Sequence, residues 1–328
     1  MLSFLIRRLL WFVLTVFTVV TVSFFLMRQV KGGPFSAERE LHPAIEKNIK
    51  ARYNLDWPLW KQYLGYIGPF ELGEHGPEFL GGDGTDRFGG LLVGELGPSF
   101  KYRDFTVNDI IAQSLPISVG LGSLALAWAL LLGLGAGILS ALYRNKPIDV
   151  VVRLIATMGI ALPNFVIASL FILAFVFVIP LFPVAGWGTL SHLVLPSLAL
   201  GAPFAAYISR LTRTGMLEVL SNDYIRTAHA KGVPPFRILW RHALKGGLLP
   251  VVSYLGPATA GILTGSLVIE KVFAIPGTGS HFVNSALNRD YTLAMGVTIL
   301  YTVLVYGLNT AVDIAYTMLD PRIDLEDA

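Results

Sequence analysis

Six stretches of this 328-residue chain run apolar for close to a full bilayer crossing, which takes about 20 helical residues. They lie at Leu9–Val30, Ile117–Leu142, Leu154–Ile179, Leu193–Ile208, Leu248–Ile269 and Tyr291–Val312. The pattern predicts an all-α integral membrane protein with six transmembrane helices. The fourth run is the weakest, because Pro196 and Pro203 interrupt it. Proline in a spanning helix is tolerated where neighbouring helices satisfy the carbonyls it frees. The first run begins like a signal peptide, with Arg7 and Arg8 ahead of it. Its apolar stretch is longer than a signal h-region and no A-x-A-like site follows, so a retained anchor is expected.

Polar segments divide the chain further. Residues 1–30 form the N-terminal anchor and 31–114 a long external loop or small subdomain. Residues 115–320 form a five-helix core containing a polar loop at 210–247, and 321–328 a tail. Lys and Arg in short loops set orientation. Arg7 and Arg8, then Arg144, Lys146 and Arg153, then the cations from Arg210 to Lys245 all fall on one side. The loop 180–192 on the other side has none. Both termini and the 210–247 loop are therefore expected in the cytoplasm. The external loop looks helical around Ala44–Leu55 and Trp57–Ile67, and is rich in Gly and acid over 68–97, the composition of irregular structure. Gly120, Gly122, Gly133, Gly135, Gly137 and Ser140 crowd the second span and permit close helix approach. Packing within one bundle and packing against a second subunit both remain open.

Charged residues make up 14% of the chain, against about 25% in an ordinary soluble domain. This reinforces the membrane reading. A net charge of +3 is too small and scattered to point to nucleic acid. There is no cysteine, so disulfides, thiolate metal sites and cysteine nucleophiles are excluded. The chain lacks a GxxxxGK sequence followed by Ser or Thr, and its Gly277–Ser280 stretch reads as a turn in an external loop. His42, His75, His192, His229, His242 and His281 show no i, i+4 pairing, so no metal site is expected. The spans carry few ionisable groups. Asp313 is the main one, and Glu270 and Lys271 read as an interfacial pair at the outer mouth.

The segment Asn222–Pro250 is the most informative polar stretch. Asn222 suits a helix N-cap, with Asp223 in the first turn. Gly232 suits the position just past the C-terminus, beside Lys231. Pro234 and Pro235 stop that helix, and Pro235 suits the first turn of the next. There Phe236, Leu239, Ala243 and Leu244 fall on one face and Arg237, Arg241 and Lys245 on another. By pattern alone, such a helix either lies on anionic headgroups or docks a cytosolic protein.

Arg226–Gly232 (RTAHAKG) followed by Arg241–Val252 (RHALKGGLLPVV) resembles the peptide-type EAA loop of ABC importer permeases. Arg226, Thr227 and Ala228 hold the three naming positions, so only Ala228 is identical. Gly232 aligns, and Leu249–Pro250 comes later than the general spacing, as in peptide-class permeases. Met1–Phe25, Gly97–Ser118, Ile269–Tyr291 and Val312–Asp324 resemble, in order, the B-type permease subunit of oligopeptide importers. The stretch 68–94 is longer than in typical members. The resemblance implies the type I ABC permease fold in a bacterial inner membrane. It implies four kinds of partner: a second homologous permease, two ATPase subunits carrying ATP and Mg, an extracytoplasmic peptide-binding protein, and the solute itself, an oligopeptide ahead of a dipeptide, nickel or another peptide-class solute. No cofactor or catalytic residue is implied in this chain. Tyr224, Arg226, Thr227, Ala228, Lys231, Gly232, Pro234, Arg237 and Arg241 would form the ATPase-coupling surface. Pro276, Gly277, Arg289, Asp290 and Tyr291 would lie at the binding-protein contact or outer gate. Concentrating a solute 1,000-fold costs roughly 4 kcal/mol, which a partner would supply. The alternative is an ion-coupled transporter or channel working without an ATPase.

Overall fold

The computed structural model describes residues 2–29, 54–68, 89–102 and 105–319. The expected helix around Ala44–Leu55 (apart from Asn54 and Leu55), most of the Gly-rich stretch and the 321–328 tail lie outside the described residues. The helices are α1 (Leu2–Gln29), α2 (Leu59–Ile67), α3 (Val107–Leu142), α4 (Pro147–Ala161), α5 (Asn164–Val178), α6 (Leu190–Leu220), α7 (Asp223–Ala230), α8 (Pro235–Gly247), α9 (Leu249–Val272), α10 (Thr278–Leu287) and α11 (Tyr291–Leu319). Four of them hold single segments long and apolar enough to cross a membrane: Phe4–Gln29, Val107–Leu142, Leu190–Leu220 and Tyr291–Ile314. The bent pairs α4–α5 and α8–α9 bring the number to six if each pair is one span.

Two spans differ from the hydropathy reading. The third is not continuous from Leu154 to Ile179; it bends by 111° between α4 and α5. Leu162 sits at φ −87°, ψ 131°, because Pro163 disfavours helical backbone in the residue before it. The fourth, expected to be weakest, is a 31-residue helix that passes unbroken through Pro196 and Pro203. Here packing outweighs the lost hydrogen bonds, since α6 contacts α4, α5, α8 and α9. The second span also starts before Ile117. Thr106 and Asp109 form a reciprocal cap at its head: Thr106 N–H and Oγ1–H donate to Asp109 Oδ2 at 3.0 and 2.6 Å, and Asp109 N–H returns to Thr106 Oγ1 at 3.1 Å.

The chain divides into two compact units. The larger is built on Pro116–Ser280 and the chain from Leu304 onward, with α6 at its centre. Small residues set its spacing. A Cβ on Gly133 would lie 2.7 Å from Ala205 O, one on Gly137 2.6 Å from Ser209 O, and one on Gly201 2.5 Å from Ala125 O. Gly133 and Gly137 thus serve packing of α3 on α6 inside the unit, whereas a Cβ on Gly120 or Gly135 would meet nothing within 4 Å. The core there gathers Leu121, Ala125, Ile167, Leu200, Ile262 and Phe273.

The smaller unit is built on the described residues within Ile6–Leu115 and on His281–Val303. In it the outer segment folds back on α1. Tyr63 of α2 meets Phe24 edge-on at 5.3 Å and its hydroxyl lies 2.6 Å from Thr21 Oγ1. Val107, Ile110 and Ile111 pack on Leu293 and Val297 in a second small core.

Candidate functional site

The hairpin of α7 and α8 belongs to the larger unit. Helix α7 ends as the sequence predicts. Gly232 has φ +74°, its N–H donates to His229 O at 3.0 Å, and Val233 N–H donates to Ala228 O at 3.1 Å. Glycine takes that left-handed conformation without Cβ strain. At the other end Asn222 has extended backbone and its carbonyl accepts from Ile225 and Arg226, but its side chain makes no capping bond. The expected side-chain cap is therefore absent. Pro235 occupies the first turn of α8.

The apolar face of α8 is the expected one at Leu239, Ala243 and Leu244, which join one core, but not at Phe236. Phe236 is 72% exposed, while Ile238 is 2% exposed and Ala243 and Leu244 are buried. Ile238–Ala243 forms a π-helical stretch, which pairs residues i and i+5 and brings Ile238 and Ala243 onto one face. A 3.6-residue period applied to the sequence misses this rotation. The side chains turned outward are Phe236 and the 60% exposed Trp240, with ring centroids 5.9 Å apart, flanked by exposed Arg237 and Arg241.

Of the other coupling candidates, Tyr224, Arg226, Thr227, Lys231, Gly232 and Pro234 are exposed. Arg226 meets Asp223 at 3.3 Å, a surface pair. Ala228 is buried and faces inward with Ile225. These two join Ile238, Ala243 and Leu244 in a core with Ala141 of α3 and Met216 and Val219 of α6. Where α8 crosses α6, backbone touches backbone. A Cβ on Gly215 would run into the Gly247 carbonyl, and one on Gly247 would lie 2.6 Å from Met216 Sδ. The hairpin is thus an outward basic–aromatic surface fixed to the central helix of its unit. Gly215 and Gly247 escaped sequence reasoning, since a lone glycine in an apolar helix has many uses.

Beside this crossing, Asp149 is fully buried and forms a cluster that the sequence reading also missed. Arg213 Nε–H and Nη2–H donate to its two oxygens at 2.8 and 2.9 Å. Ser140 Oγ–H donates at 2.6 Å and Asn145 N–H at 2.9 Å. Arg153 Nε approaches at 3.4 Å. One carboxylate joins the α3–α4 link to α6, and bidentate geometry fixes the angle between them.

The outer candidates separate by unit. In the larger unit Pro276 is exposed and Gly277 buried. Gly277–Ser280 is not a plain turn, because α10 begins at Thr278. Glu270 is fully buried, so it does not sit at an interface beside Lys271 as expected. Its Oε2 accepts from Ser280 N–H at 3.1 Å, at the N-terminus of α10, where a carboxylate is favoured. Thr278 N–H donates to Ser118 Oγ at 2.9 Å. A Cβ on Gly277 would collide with the Glu270 carboxylate, which would have to leave its place beside α10.

In the smaller unit Arg289 is exposed, with φ +58°, and Tyr291 is buried. Asp290 is 1% exposed, and its oxygens are used internally. They accept from Ser99 Oγ at 2.5 Å, Phe100 N at 3.2 Å, Lys101 N at 3.3 Å, Thr292 Oγ1 at 3.1 Å and Leu293 N at 3.2 Å. Its carboxylate therefore ties residues 99–101 to the start of α11 and is not on the surface. Asp313 lies half-buried on α11.

The model of the family described as binding-protein-dependent transport system inner membrane component matches residues 133–325. The oligopeptide transport system permease protein OppB of Salmonella typhimurium is 43% identical over 325 residues, covering 98% of this chain and 99% of that protein. OppB of Haemophilus influenzae gives the same figures. The dipeptide transport system permease protein DppB of Bacillus subtilis is 41% identical, covering 99% of each. Among solved structures, an inward-facing MetNI methionine ABC transporter matches with TM-score 0.54 at 16% identity, over 64% of this chain and 96% of that one. An amino acid ABC transporter with histidines matches with TM-score 0.51 at 15% identity, over 63% and 92%. The fold is the type I ABC importer permease fold.

Proposed function

Because the chain belongs to the family of binding-protein-dependent transport system inner membrane components, we propose that it is a permease subunit of an ATP-driven importer that brings oligopeptides into the cytoplasm. Both termini and the α7–α8 hairpin face the cytoplasm in this reading, in accord with the distribution of Lys and Arg. A second homologous permease completes the pathway. Two ATPase subunits bind and hydrolyse ATP with Mg below, and an extracytoplasmic binding protein delivers peptide above. The oligopeptide assignment draws on the full-length similarity to OppB.

The observation that carries the mechanism is the mounting of the hairpin. Phe236, Trp240, Arg237 and Arg241 face outward, a composition typical of the anchors of protein interfaces. Their helix is locked to α6 through the Gly215–Gly247 crossing and the Met216–Ile238 core. Force applied to the outer face by closing ATPases is delivered to α6 with little loss, because packed interiors resist compression. Helix α6 contacts most of its unit, so a rigid-body swing between outward and inward access follows. Gly232 and Pro234–Pro235 hold the angle between the hairpin's helices. The outer loop and the Pro276–Tyr291 region meet the binding protein, with Pro276 and Arg289 on the surface.

The test is reconstitution of the intact complex in proteoliposomes. Uptake of labelled oligopeptide should require ATP inside, the ATPases and the loaded binding protein. Uptake by the chain without ATPase subunits, at the same rate, would replace this reading with a passive or ion-coupled one.

A further inference from the structure

Between α4 and α6 the larger unit holds a cavity of about 520 Å³. Its polar wall carries three guanidinium groups, Arg153, Arg210 and Arg213, with the hydroxyls of Thr157 and Thr214. No carboxylate is among its described lining residues. The nearest acid is Asp149, whose oxygens already receive Arg213, Arg153, Ser140 and the Asn145 amide. Three cations against one anion leave the wall positively charged. Arg210 also stacks over the Tyr207 ring at 4.9 Å, which leaves its charge uncancelled.

A second cavity of about 230 Å³ adjoins the first, sharing Val152, Ala156 and Ser209. Its lining is almost wholly apolar and small, with Ala136, Gly159, Ala202 and Ala206 keeping it open. Together they form a cationic chamber leading into a narrow apolar slot. The chamber's position along the span follows from α6. Arg210 is about 30 Å along the helix from Leu190 at 1.5 Å per residue, the thickness of a hydrocarbon core. With Leu190 taken at the opposite membrane surface, next to the loop 180–192 that carries no Lys or Arg, the guanidiniums lie at headgroup depth, at the end that carries the hairpin, and the slot lies within the hydrocarbon.

We propose that this is a binding site for an anionic phospholipid, its phosphate held by Arg153, Arg210 and Arg213 and an acyl chain lying in the slot. Basic recesses between spanning helices are suited to anionic headgroups. A transported peptide fits worse. Among the slot's described lining residues Ser209 alone carries a polar side-chain group, so the peptide's amides would be buried unpaired, which costs several kcal/mol. The site is independent of which solute is carried.

The experiment is native mass spectrometry of the intact complex purified in mild detergent, with exchange into nanodiscs of phosphatidylglycerol or phosphatidylcholine. The wild type should retain phosphatidylglycerol in preference to phosphatidylcholine. Arg153→Gln with Arg210→Gln should lower that preference roughly thirtyfold, at about fivefold per charge near a membrane surface. Both side chains are exposed, so folding should survive. Ala156→Phe, which fills the shared wall, should reduce lipid retention with all three charges intact. Equal retention of the two lipids by the wild type overturns the proposal, as does unchanged preference in the double variant. Loss of peptide uptake in the double variant with unchanged lipid retention would also overturn it, and would move the cavity to the peptide path.

Discussion

Gly215→Ala is the sharpest perturbation available to the hairpin mechanism. A methyl at this position points into the Gly247 carbonyl, well inside van der Waals contact. The obstacle is backbone, so no rotamer change relieves it, and α6 and α8 must part by about 1 Å to restore ordinary separations. Overpacking of this kind costs typically 1–3 kcal/mol, and the rigid obstacle places this case at the upper end, about 2–3 kcal/mol. Gly247→Ala meets mainly Met216 Sδ, at 2.6 Å, a side chain whose repacking in the core, rather than a parting of backbones, can relieve the contact, so its cost should be lower, about 1–2 kcal/mol. The ordering is the prediction. In the reconstituted complex Gly215→Ala should lower peptide uptake per ATP hydrolysed far more than Gly247→Ala, and should lower the thermal midpoint more. The ATPases should still dock, because the outward face of α8 is untouched. Wild-type uptake per ATP in Gly215→Ala, at unchanged thermal stability, would refute transmission through this crossing.

At Gly232 a Cβ meets nothing within 4 Å, so Gly232→Ala should cost only the left-handed backbone term, about 1 kcal/mol. Gly232→Asp should leave membrane insertion intact, by protease mapping of vesicles, but abolish uptake and ATPase association. Phe236→Ala and Trp240→Ala should leave the melting temperature unchanged, since both rings are exposed, yet weaken ATPase capture by about 2 kcal/mol each if they anchor the interface. Asp149→Ala should lower the thermal midpoint by stranding Arg213. Asp223→Ala breaks only an exposed pair and should not shift it measurably. Asp290→Ala should cost at least about 2 kcal/mol locally by leaving buried donors unpaired, seen as faster proteolysis near residues 99–102.

Much of the fold was legible in the chain because membrane insertion imposes a length and a composition on each span. Four of the six apolar runs correspond to the four long helices, the third to the bent pair α4–α5, and the fifth to α9, one arm of the bent pair α8–α9. What hydropathy misjudged was proline. Pro163 breaks its span, while Pro196 and Pro203 sit inside a continuous one. The difference lies in the neighbours of each helix, which a linear scan does not see. In the hairpin, Gly232 and Pro235 were readable because their roles are local. The exposed Phe236 was misassigned because a π-helical stretch changes the period. Among the residues expected at the outer mouth, Glu270 and Asp290 looked like surface charges in sequence. Each proved to be a buried acceptor for amides and hydroxyls, from Ser280 and from residues 99–101 respectively.

The sequence by itself determined what depends on a residue and its near neighbours: apolar spans, the bias of Lys and Arg, the ends of α7, and the absence of a phosphate loop. The tertiary structure alone decided what depends on pairs far apart in the chain. The Gly215–Gly247 crossing, the Asp149–Arg213 pair and the cationic chamber beside the apolar slot are of this kind. The physical reason is range. Backbone preference and hydropathy act over a few residues, whereas close packing and buried charge pairing are satisfied only by groups that folding brings together.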